Sequence, residues 1–497
     1  MTPTPQPDEP GREGLFSPAR RGVSIAIFTT VALSAFEGLA VAAALPQVAA
    51  DLGRVDLLPW VFTSYLLASG VSTVAAGAMV DRAGVGRVFR GAVGVFVIAG
   101  VMAGLASSMP LLILARLIQG VGAGAINAVA LSAVGLAYPR QMVGRAFAAN
   151  ATVWGAMSVA GPAIAAGLLT VASWRWIFLV NLPLGGAALA AGWRALPMTP
   201  PRRPEGRVPI RIDPLVLSLL SIITFASLYA VDALSWRSLP AAGVTVAATT
   251  VLLRRERGRP GALIAPRHVV DAPLGPLAWA MALMLTGSIG LATFLPLYLS
   301  AGRGLGTTMT AWSVVFFTLG WTTGANASSR LMDRMAALSV VRTGVLTVVP
   351  ALAAVSLAAF ATAPLPVLFM AVTAAGFGTG LGTNAALTLL RSLAPEHELG
   401  RATAAHQFIR NFGFAMGNAL AGAILLLVVA AATGQVEAIR QALGEGGSAE
   451  GLAAVSAALQ RGFATSAGVG AAIASLALLP LGAVARATAD RPREPMT

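Results

Sequence analysis

Residues 116–149 read RLIQGVGAGAINAVALSAVGLAYPRQMVGRAFAA, and residues 372–405 read VTAAGFGTGLGTNAALTLLRSLAPEHELGRATAA. The second stretch repeats the first at a constant separation of 256 positions. The matching residues are three alternating glycines, a proline and a Gly-Arg-Ala triplet: Gly120, Gly122, Gly124, Pro139 and Gly144-Arg145-Ala146 against Gly376, Gly378, Gly380, Pro395 and Gly400-Arg401-Ala402. An internal repeat of this length predicts that the chain is built from two halves of one plan.

The composition around this repeat is that of a membrane protein. Of the 497 residues, 56% are hydrophobic and only 11% are charged, whereas soluble domains carry about 25% charged residues. The mean hydropathy is +0.77. These values exclude a disordered chain and argue against a water-soluble enzyme. The sequence has no cysteine and three histidines, so we expect neither disulfides nor a metal site.

Apolar runs of the length needed to cross a bilayer, about 20 residues, occur fourteen times. They lie at 22–46, 57–79, 88–107, 110–137, 145–170, 176–195, 214–232, 237–253, 274–299, 310–332, 341–361, 365–391, 402–432 and 463–485. We therefore predict an all-α polytopic fold with fourteen transmembrane helices. The eighth run is the shortest.

The repeat divides these helices into two six-helix bundles with a two-helix hairpin inserted between them. The predicted segments are an amino-terminal tail, a first bundle, the hairpin with its basic linkers, a second bundle and a carboxy-terminal tail, at 1–21, 22–196, 197–273, 274–486 and 487–497. Both bundles have the same orientation, so they are expected to be related by an axis along the membrane normal, with a site between them.

The basic residues predict the orientation of the chain. All 34 are arginine, against 20 acidic residues. With both termini cytoplasmic, 26 arginines fall on cytoplasmic segments and six on outer loops, as the positive-inside rule requires. We therefore expect a multi-pass protein of the plasma (cytoplasmic) membrane whose basic charge serves topology and lipid contact rather than nucleic-acid binding. Five arginines on each flank of the inserted hairpin suit anionic lipid.

Four motifs resemble a known family. The stretch 77–87, GAMVDRAGVGR, resembles the loop signature of the major facilitator superfamily, and RLIQG at 116–120 resembles its helix-4 motif. Gly161-Pro162 resembles the antiporter motif, although Ala165 and Ala166 stand where paired glycines usually follow. SWRWIF at 173–178 is similar to the fourteen-helix drug:proton antiporters.

The resemblance implies a cluster at the cytoplasmic face that latches the outward-facing state. Its members are Gly77, Asp81, Arg82, Arg87 and Arg145, with the repeated pair Asp333 and Arg334 in the second half. The alternative is that these are ordinary solvated loop charges. The small residues Gly120, Gly124 and Gly161, with Pro162, are expected to serve close helix packing.

One acid lies well inside a predicted span, Glu37, and an intramembrane carboxylate is a functional candidate by default. It is about 15 Å from the outer end of its helix, and Arg116 is about 9 Å from the outer end of its own, at 1.5 Å per residue. The two can therefore meet, and we predict that they form the proton-coupling pair. The alternative is a purely structural ion pair. Arg116 and Gln119 have only Val372 and Ala375 as counterparts in the repeat.

Candidate substrate-binding residues are the amides, aromatics and one cation of the predicted central helices. They are Asn127, Asn150, Trp154, Phe294, Tyr298, Trp321, Asn384, Gln407, Arg410 and Asn411. Arg410 either lines the cavity and attracts an anionic group, or it extends its head towards the cytoplasm.

The sequence thus predicts a proton-driven exporter of small lipophilic compounds, neutral or cationic, that works as a monomer by alternating access. Protons and the small-molecule substrate are its expected partners, and the proton gradient replaces any cofactor. The alternatives are a proton symporter or facilitator for a small solute, including an anionic one that uses Arg410, and a flippase for a lipid or lipid precursor. No Walker motif and no nucleophile–base pair occurs, so neither ATP-driven transport nor an enzyme is expected.

Overall fold

The structure, a computed structural model, describes residues 14–18, 20–138, 140–198, 213–233, 238–259, 262–395, 398–434 and 449–489. Across these residues the regular secondary structure is helical throughout. The first half contains α1 (Arg21–Leu52), α2 (Trp60–Ala83), α3 (Val85–Gly104), α4 (Met109–Ala137), α5 (Arg140–Val171), α6 (Arg175–Leu179) and α7 (Asn181–Ala195). The short α6 and α7 together occupy the sixth predicted run.

Three helices follow before the second half begins. They are α8 (Pro214–Ala233), α9 (Leu239–Glu256) and the short α10 (Pro266–Val269). The second half contains α11 (Leu274–Leu297), α12 (Thr307–Met332), α13 (Ala337–Phe360), α14 (Leu365–Leu393), α15 (Leu399–Thr433), α16 (Ala449–Ser475) and α17 (Leu478–Ala489). A π-helical turn, Tyr298–Gly302, extends α11.

A helix lies at each of the fourteen predicted runs, and twelve of the described spans are long and apolar enough to cross a membrane. The helices α9 and α12 are not among the twelve. The last turn of α9 carries Arg254 and Arg255, and α12 is rich in threonine, serine and asparagine. The all-helical membrane fold is confirmed, whereas the count of fourteen membrane crossings stays a prediction.

The repeat in the sequence is a repeat in the packing. In both halves the fourth long helix packs against the second and the third: α4 against α2 and α3, and α14 against α12 and α13. A Cβ atom on Gly124 would lie 2.8 Å from the backbone nitrogen of Thr73, and one on Gly380 would lie 2.9 Å from that of Ala325. Only glycine permits this approach, so the alternating glycines set the distance between these helices in each half.

The two halves meet along two seams, α2 with α15 and α5 with α12, and α1 also contacts α11. The inserted hairpin lies over the first seam. Leu228 of α8 packs with Leu67 of α2 and with Ala415 and Ala419 of α15, while α9 packs on α8. At its open end the hairpin is closed by Asp213, which accepts hydrogen bonds from Arg255 Nε at 3.1 Å and Nη2 at 2.6 Å.

The Trp-Arg pair of the 173–178 motif ties the predicted outer ends of the first bundle together. Trp174 Nε1 donates to Asp51 Oδ2 at 3.0 Å, and Arg175 Nη1 lies 2.6 Å from the same oxygen. Arg175 Nη2 donates to the carbonyl of Ala106 at 3.3 Å. The motif therefore links the end of α1 and the α3–α4 connection to the start of α6.

Candidate functional site

Glu37 lies fully buried near the middle of α1, and both of its carboxylate oxygens are bound. Arg116 Nη1 of α4 donates to Oε1, and Asn181 Nδ2 of α7 donates to Oε2. All three residues have no exposed surface. The structure thus brings together the two residues that the sequence predicted as a pair, in the interior of the first bundle.

Arg116 is held by several contacts besides the carboxylate. Its Nε donates to the carbonyl of Val61 at 3.1 Å, and Nη1 donates to Gln119 Oε1 at 2.7 Å. The guanidinium carbon lies 4.1 Å from the centroid of the Tyr65 ring, which adds a cation–π attraction. Because Gln119 is three residues from Arg116 on α4, helix geometry alone brings these two side chains to one face.

The network around Glu37 is incompletely satisfied. Among the described residues, no hydrogen-bond partner is found for Arg116 Nη2, Gln119 Nε2 or Asn181 Oδ1. A buried polar network with unpaired groups is less stable than an apolar core of the same shape. These atoms can rearrange when Glu37 gains or loses a proton, because each has unused hydrogen-bonding capacity.

Asn181 was not predicted to take part in this site. In the sequence it stands three residues after the SWRWIF stretch at 173–178, and in the structure it is the first residue of α7. The signal that could have found it is its position. Asn181 begins the helix that follows the Trp174–Arg175 pair, and that pair holds this part of the chain against α1. Tyr65 was missed as well, since nothing in the α2 sequence marks which face turns towards α4.

Among the predicted substrate residues of α12 and α15, Asn411 lies where α15 meets α2 of the first bundle, and Trp321 and Arg410 lie around one phenylalanine ring. The Trp321 ring stacks on the Phe414 ring, with centroids 5.9 Å apart and planes 5° apart. Arg410 lies 5.5 Å from the centroid of the same Phe414 ring. Gln407 is half-buried and Asn411 is buried, where Gly70 of α2 packs against it.

Other predicted substrate residues lie elsewhere. Tyr298 has no exposed surface, and its ring stacks on Phe463 at 4.5 Å within the second bundle. Phe294 is buried, and its ring lies 3.0 Å from the position that a Cβ on Gly422 would take, which Pro59 of the first half also borders. Asn384 Nδ2 donates to Ser328 Oγ at 2.6 Å and to the carbonyl of Ala325 at 3.1 Å. These placements give no support to substrate contact by Phe294, Tyr298 or Asn384.

The predicted residues of α4 and α5 are less enclosed. Asn127 and Asn150 are half-buried, and Trp154 is 44% exposed. Among the described residues no partner is found for Asn150 Oδ1. Gly161 and Pro162 are buried in the middle of α5.

The predicted latch residues lie around the helix ends on one face. The side chain of Asp81 lies outside the described part of the structure. Arg82, Arg87 and Arg145 are exposed, Gly77 is half-buried, and Asp333 and Arg334 are exposed in the turn after α12. Within the described ranges no ion pair joins Asp333 or Arg334 to another side chain. The latch therefore stays a prediction.

A second buried carboxylate, which the sequence did not single out, lies before α15. Glu398 Oε2 is 3.0 Å from His268 Nε2 of α10, and Oε1 accepts from Arg267. Burial raises the pKa of Glu398, but the His268 hydrogen bond and the nearby Arg267 and Arg401 charges outweigh it, so the net shift is downward. Burial lowers the pKa of His268 more strongly than Glu398 raises it. In the described residues, no group of three or more acids or histidines could hold a metal ion.

Comparison with known proteins agrees with this fold. The family model of the Major Facilitator Superfamily matches residues 26–418. An uncharacterized MFS-type transporter of Mycobacterium tuberculosis is 29% identical over 425 residues, covering 83% of this chain and 60% of that protein. The chain thus spans about three fifths of the length of that relative. The multidrug transporter protein MdtP of Bacillus subtilis is 25% identical over 81% of this chain and 74% of its own length.

Solved structures show the same architecture. A bacterial homologue of the human lysosomal transporter Spinster, in an inward-facing and unoccupied conformation, has a TM-score of 0.64 at 16% identity. The match covers 97% of this chain and all of that chain. With the family match over most of its length, this protein belongs to the major facilitator superfamily.

Proposed function

We propose that this protein is a proton-coupled secondary transporter that exports small lipophilic compounds across the plasma membrane. The observation that carries the proposal is the sealed Glu37–Arg116 pair in the core of the first bundle. A buried ion pair is weak evidence for stability, because its desolvation cost rivals its attraction. The second half of the repeat has no such pair at the corresponding positions, so the fold does not require it. The presence of the pair in the first half therefore supports a role in transport.

The proposed coupling follows from the geometry of the pair. While Arg116 lies against Glu37, its fixed positive charge favours the ionised carboxylate and opposes proton uptake. If rocking of the bundles shifts α4 relative to α1, the carboxylate loses this partner inside an apolar core, and protonation becomes favourable. Conformation and proton affinity are then linked, which is what coupling to a gradient requires.

The export direction is supported by similarity rather than by geometry. MdtP is named a multidrug transporter, and the 173–178 motif resembles the fourteen-helix drug:proton antiporters. The expectation of a neutral or cationic cargo depended on Glu37 as a charge of the central cavity. Since Glu37 contacts α4 and α7 inside the first bundle, the cargo charge has to be decided by other residues.

A second candidate is a proton symporter or facilitator for an anionic solute. The observation in its favour is Arg410, a cation on the inter-bundle face of α15. No contact among the described residues favours the flippase alternative.

The test is substrate-coupled proton flux in proteoliposomes under an imposed pH gradient, with a lipophilic dye as reporter. We expect the wild-type protein to accumulate dye against its gradient, and Glu37→Gln to bind dye without accumulating it. The matched control is Asp51→Asn, which removes a carboxylate from the same helix but outside this network, and we expect it to transport normally.

Equal accumulation by the wild type and Glu37→Gln would contradict the coupling role and leave the pair structural. Dye movement coupled to proton entry in the opposite sense would favour the symporter.

A further inference from the structure

Arg410 is a cation inside an apolar helical span, and none of the ion pairs formed among the described residues includes it. It lies about 14 Å along the axis from the start of the apolar span Arg401–Ala432 and about 10 Å short of the midpoint of that span, which is inside a hydrocarbon core of about 30 Å centred on it. Its Nε is buried and has no hydrogen-bond partner among the described residues. Its guanidinium carbon lies 5.5 Å from the centroid of the Phe414 ring, and the buried His406, one turn earlier on α15, is the titratable group that its charge acts on.

The neighbours of Arg410 on α15 show which way it points. Asn411 packs on α2 of the first bundle, where a Cβ at Gly70 would be 3.3 Å from the Asn411 Cβ. Gly413 packs on α11 of the second bundle, where its Cβ would be 2.7 Å from Ala282 Cα. At about 100° per residue, Arg410 lies between these two contact directions. It therefore faces the space where the two bundles meet.

An aromatic wall adjoins the cation on the same face. Phe414 is one helix turn beyond Arg410, and its ring stacks in parallel with Trp321 of α12 at 5.9 Å. Gln407, about one turn before Arg410, is half-buried and adds an amide. A guanidinium, an amide and a pair of flat rings thus line one surface.

Such a surface is electrostatically incomplete without an anion. Arg410 is half-buried, and a charge withdrawn from water is costly unless it is paired. The carboxylate of Glu37 does not pair with it, because both of its oxygens are bound by Arg116 and Asn181. A guanidinium binds a carboxylate through two parallel hydrogen bonds. The rings of Trp321 and Phe414 offer an apolar face to a planar group beside it.

We propose that the cargo of this transporter is an aromatic carboxylate, whose acid group binds Arg410 and whose ring lies against Trp321 and Phe414. The inference rests on the proposed function only in that a small molecule passes between the bundles. It holds for either transport direction and for either coupling mechanism.

The test is equilibrium binding to the full-length protein in nanodiscs, without any pH gradient. The probes are naphthoate, naphthylmethanol and naphthylmethylammonium, which share one ring system and differ in charge. We expect wild-type protein to bind naphthoate most tightly and the ammonium compound least. A hydrogen bond to a charged group contributes about 1.5–3 kcal/mol, so Arg410→Gln should weaken naphthoate binding about 10- to 100-fold. Binding of naphthylmethanol should change less than about twofold.

Two further variants keep the proposal falsifiable. Arg410→Lys retains the charge but loses the planar fork, so naphthoate affinity should lie between those of wild type and Arg410→Gln. Trp321→Leu should weaken all three probes alike, because it removes ring contact and no charge. Equal binding of the three probes by wild type, a preference for the ammonium compound, or an unchanged naphthoate affinity in Arg410→Gln would overturn the proposal.

Failure here is distinguishable from failure of proton coupling. The Glu37→Gln variant should keep the wild-type order of the three probes even where dye accumulation is lost. If the probe order fails while Glu37-dependent flux remains, the cargo assignment alone is wrong.

Discussion

The two bundles share their packing and differ in what their cores contain. Leu45-Pro46 in α1 and Leu295-Pro296 in α11 match at a separation of 250, which places Glu37 opposite Gly287. In the second bundle a Cβ on Gly287 would lie 2.9 Å from the Ala474 Cβ, so two helices touch where the first bundle holds an acid.

The position of Arg116, the partner of Glu37, is also polar in the first bundle and apolar in the second. Arg116 corresponds to Val372 and Gln119 to Ala375, and both counterparts are fully buried. Tyr65, whose ring lies under the guanidinium, corresponds to Phe317. The second bundle shows that this scaffold folds around an apolar core. The polar network of the first bundle is therefore not required by this packing, and we expect the bundle to tolerate its complete removal.

We expect the largest effect from Arg116→Val, which gives the first bundle the residue of the second bundle at this one position. It leaves Glu37 as an unpaired buried charge, and breaking a buried pair in this way costs about 3–5 kcal/mol. We expect a large drop in the thermal unfolding temperature of the purified protein.

The double variant Glu37→Gln with Arg116→Val is the matched control. Since it removes both charges, we expect it to recover most of the stability that Arg116→Val loses, while proton coupling stays absent. A double variant as unstable as Arg116→Val would show that the pair itself holds the bundle together.

The shared packing predicts an equal effect in both halves. Gly124→Ala and Gly380→Ala each force a methyl group against a backbone nitrogen less than 3 Å away, and overpacking of this kind costs about 1–3 kcal/mol. We expect the two variants to lower the unfolding temperature similarly.

Gly94→Ala in α3 is the control for those two variants, because no atom lies within 4 Å of its Cβ position. It should leave the unfolding temperature within the scatter of wild type. A large effect at Gly124 with none at Gly380 would mean that the halves do not share their packing.

The sequence predicted the features that repeat or that are rare, and it missed those that depend on which face a helix turns inward. The glycine repeat was sufficient to predict the shared helix packing, and the depths of Glu37 and Arg116 in their helices were sufficient to predict that these two side chains meet. In α11 nearly every residue is apolar and buried, so no periodicity marks its faces. The sequence therefore could not show that Phe294 and Tyr298, which were expected to line a cavity, are buried, and their contact with substrate stays a prediction.

The position of the inserted hairpin was beyond sequence reasoning for a similar reason. The α8 helix is apolar, and an apolar helix surface can face either lipid or other helices. The sequence therefore does not show which part of the protein α8 contacts. Only the structure shows Leu228 packed over the seam between Leu67 and Ala415.

The contacts at the start of the two bundles differ in charge, and this difference should make the stability of the protein depend on pH. At the start of α1 the contact is neutral: the hydroxyl of Ser24, in the first turn of α1, lies 2.7 Å from that of Tyr138, which follows α4, and burial raises the pKa of Tyr138. Before α11 the contact is charged, through His268 and Glu398. Because the His268 pKa is lowered in the folded state, the unfolded chain binds a proton more readily. The contribution of His268 to stability is thus present above its ordinary pKa of about 6.5 and is lost as the pH falls below it.

Glu398 acts in the same direction at lower pH. Its pKa is lowered in the folded state, so its contribution is present above about 4.3 and is lost as the pH falls through the folded value. We expect the unfolding temperature of wild type to fall more between pH 7.5 and pH 5.5, about one unit on either side of 6.5, than that of His268→Gln. Parallel curves for the two proteins would contradict this assignment.

The smallest expected effect concerns the outer ends of the two bundles. In the first, Asp51 pairs with Arg175, and both side chains are at least one third exposed. In the second, Gln460 Nε2 donates to the carbonyl of Ala359 at 2.9 Å and to that of Phe360 at 3.2 Å, with no charge involved. Exposed ion pairs contribute about 0.2–1 kcal/mol and are screened by salt.

Asp51→Asn should therefore lower the unfolding temperature slightly at low ionic strength and less at about 1 M salt, where the Debye length is about 3 Å. Gln460→Met should have an effect that salt does not change, because it removes neutral hydrogen bonds. If salt altered both variants equally, the difference between a charged and a neutral clasp would not be the cause. If salt altered only Asp51→Asn, the helix ends would differ in the same way as the cores. The first bundle would use a charged contact where the second bundle joins the corresponding helices through neutral hydrogen bonds.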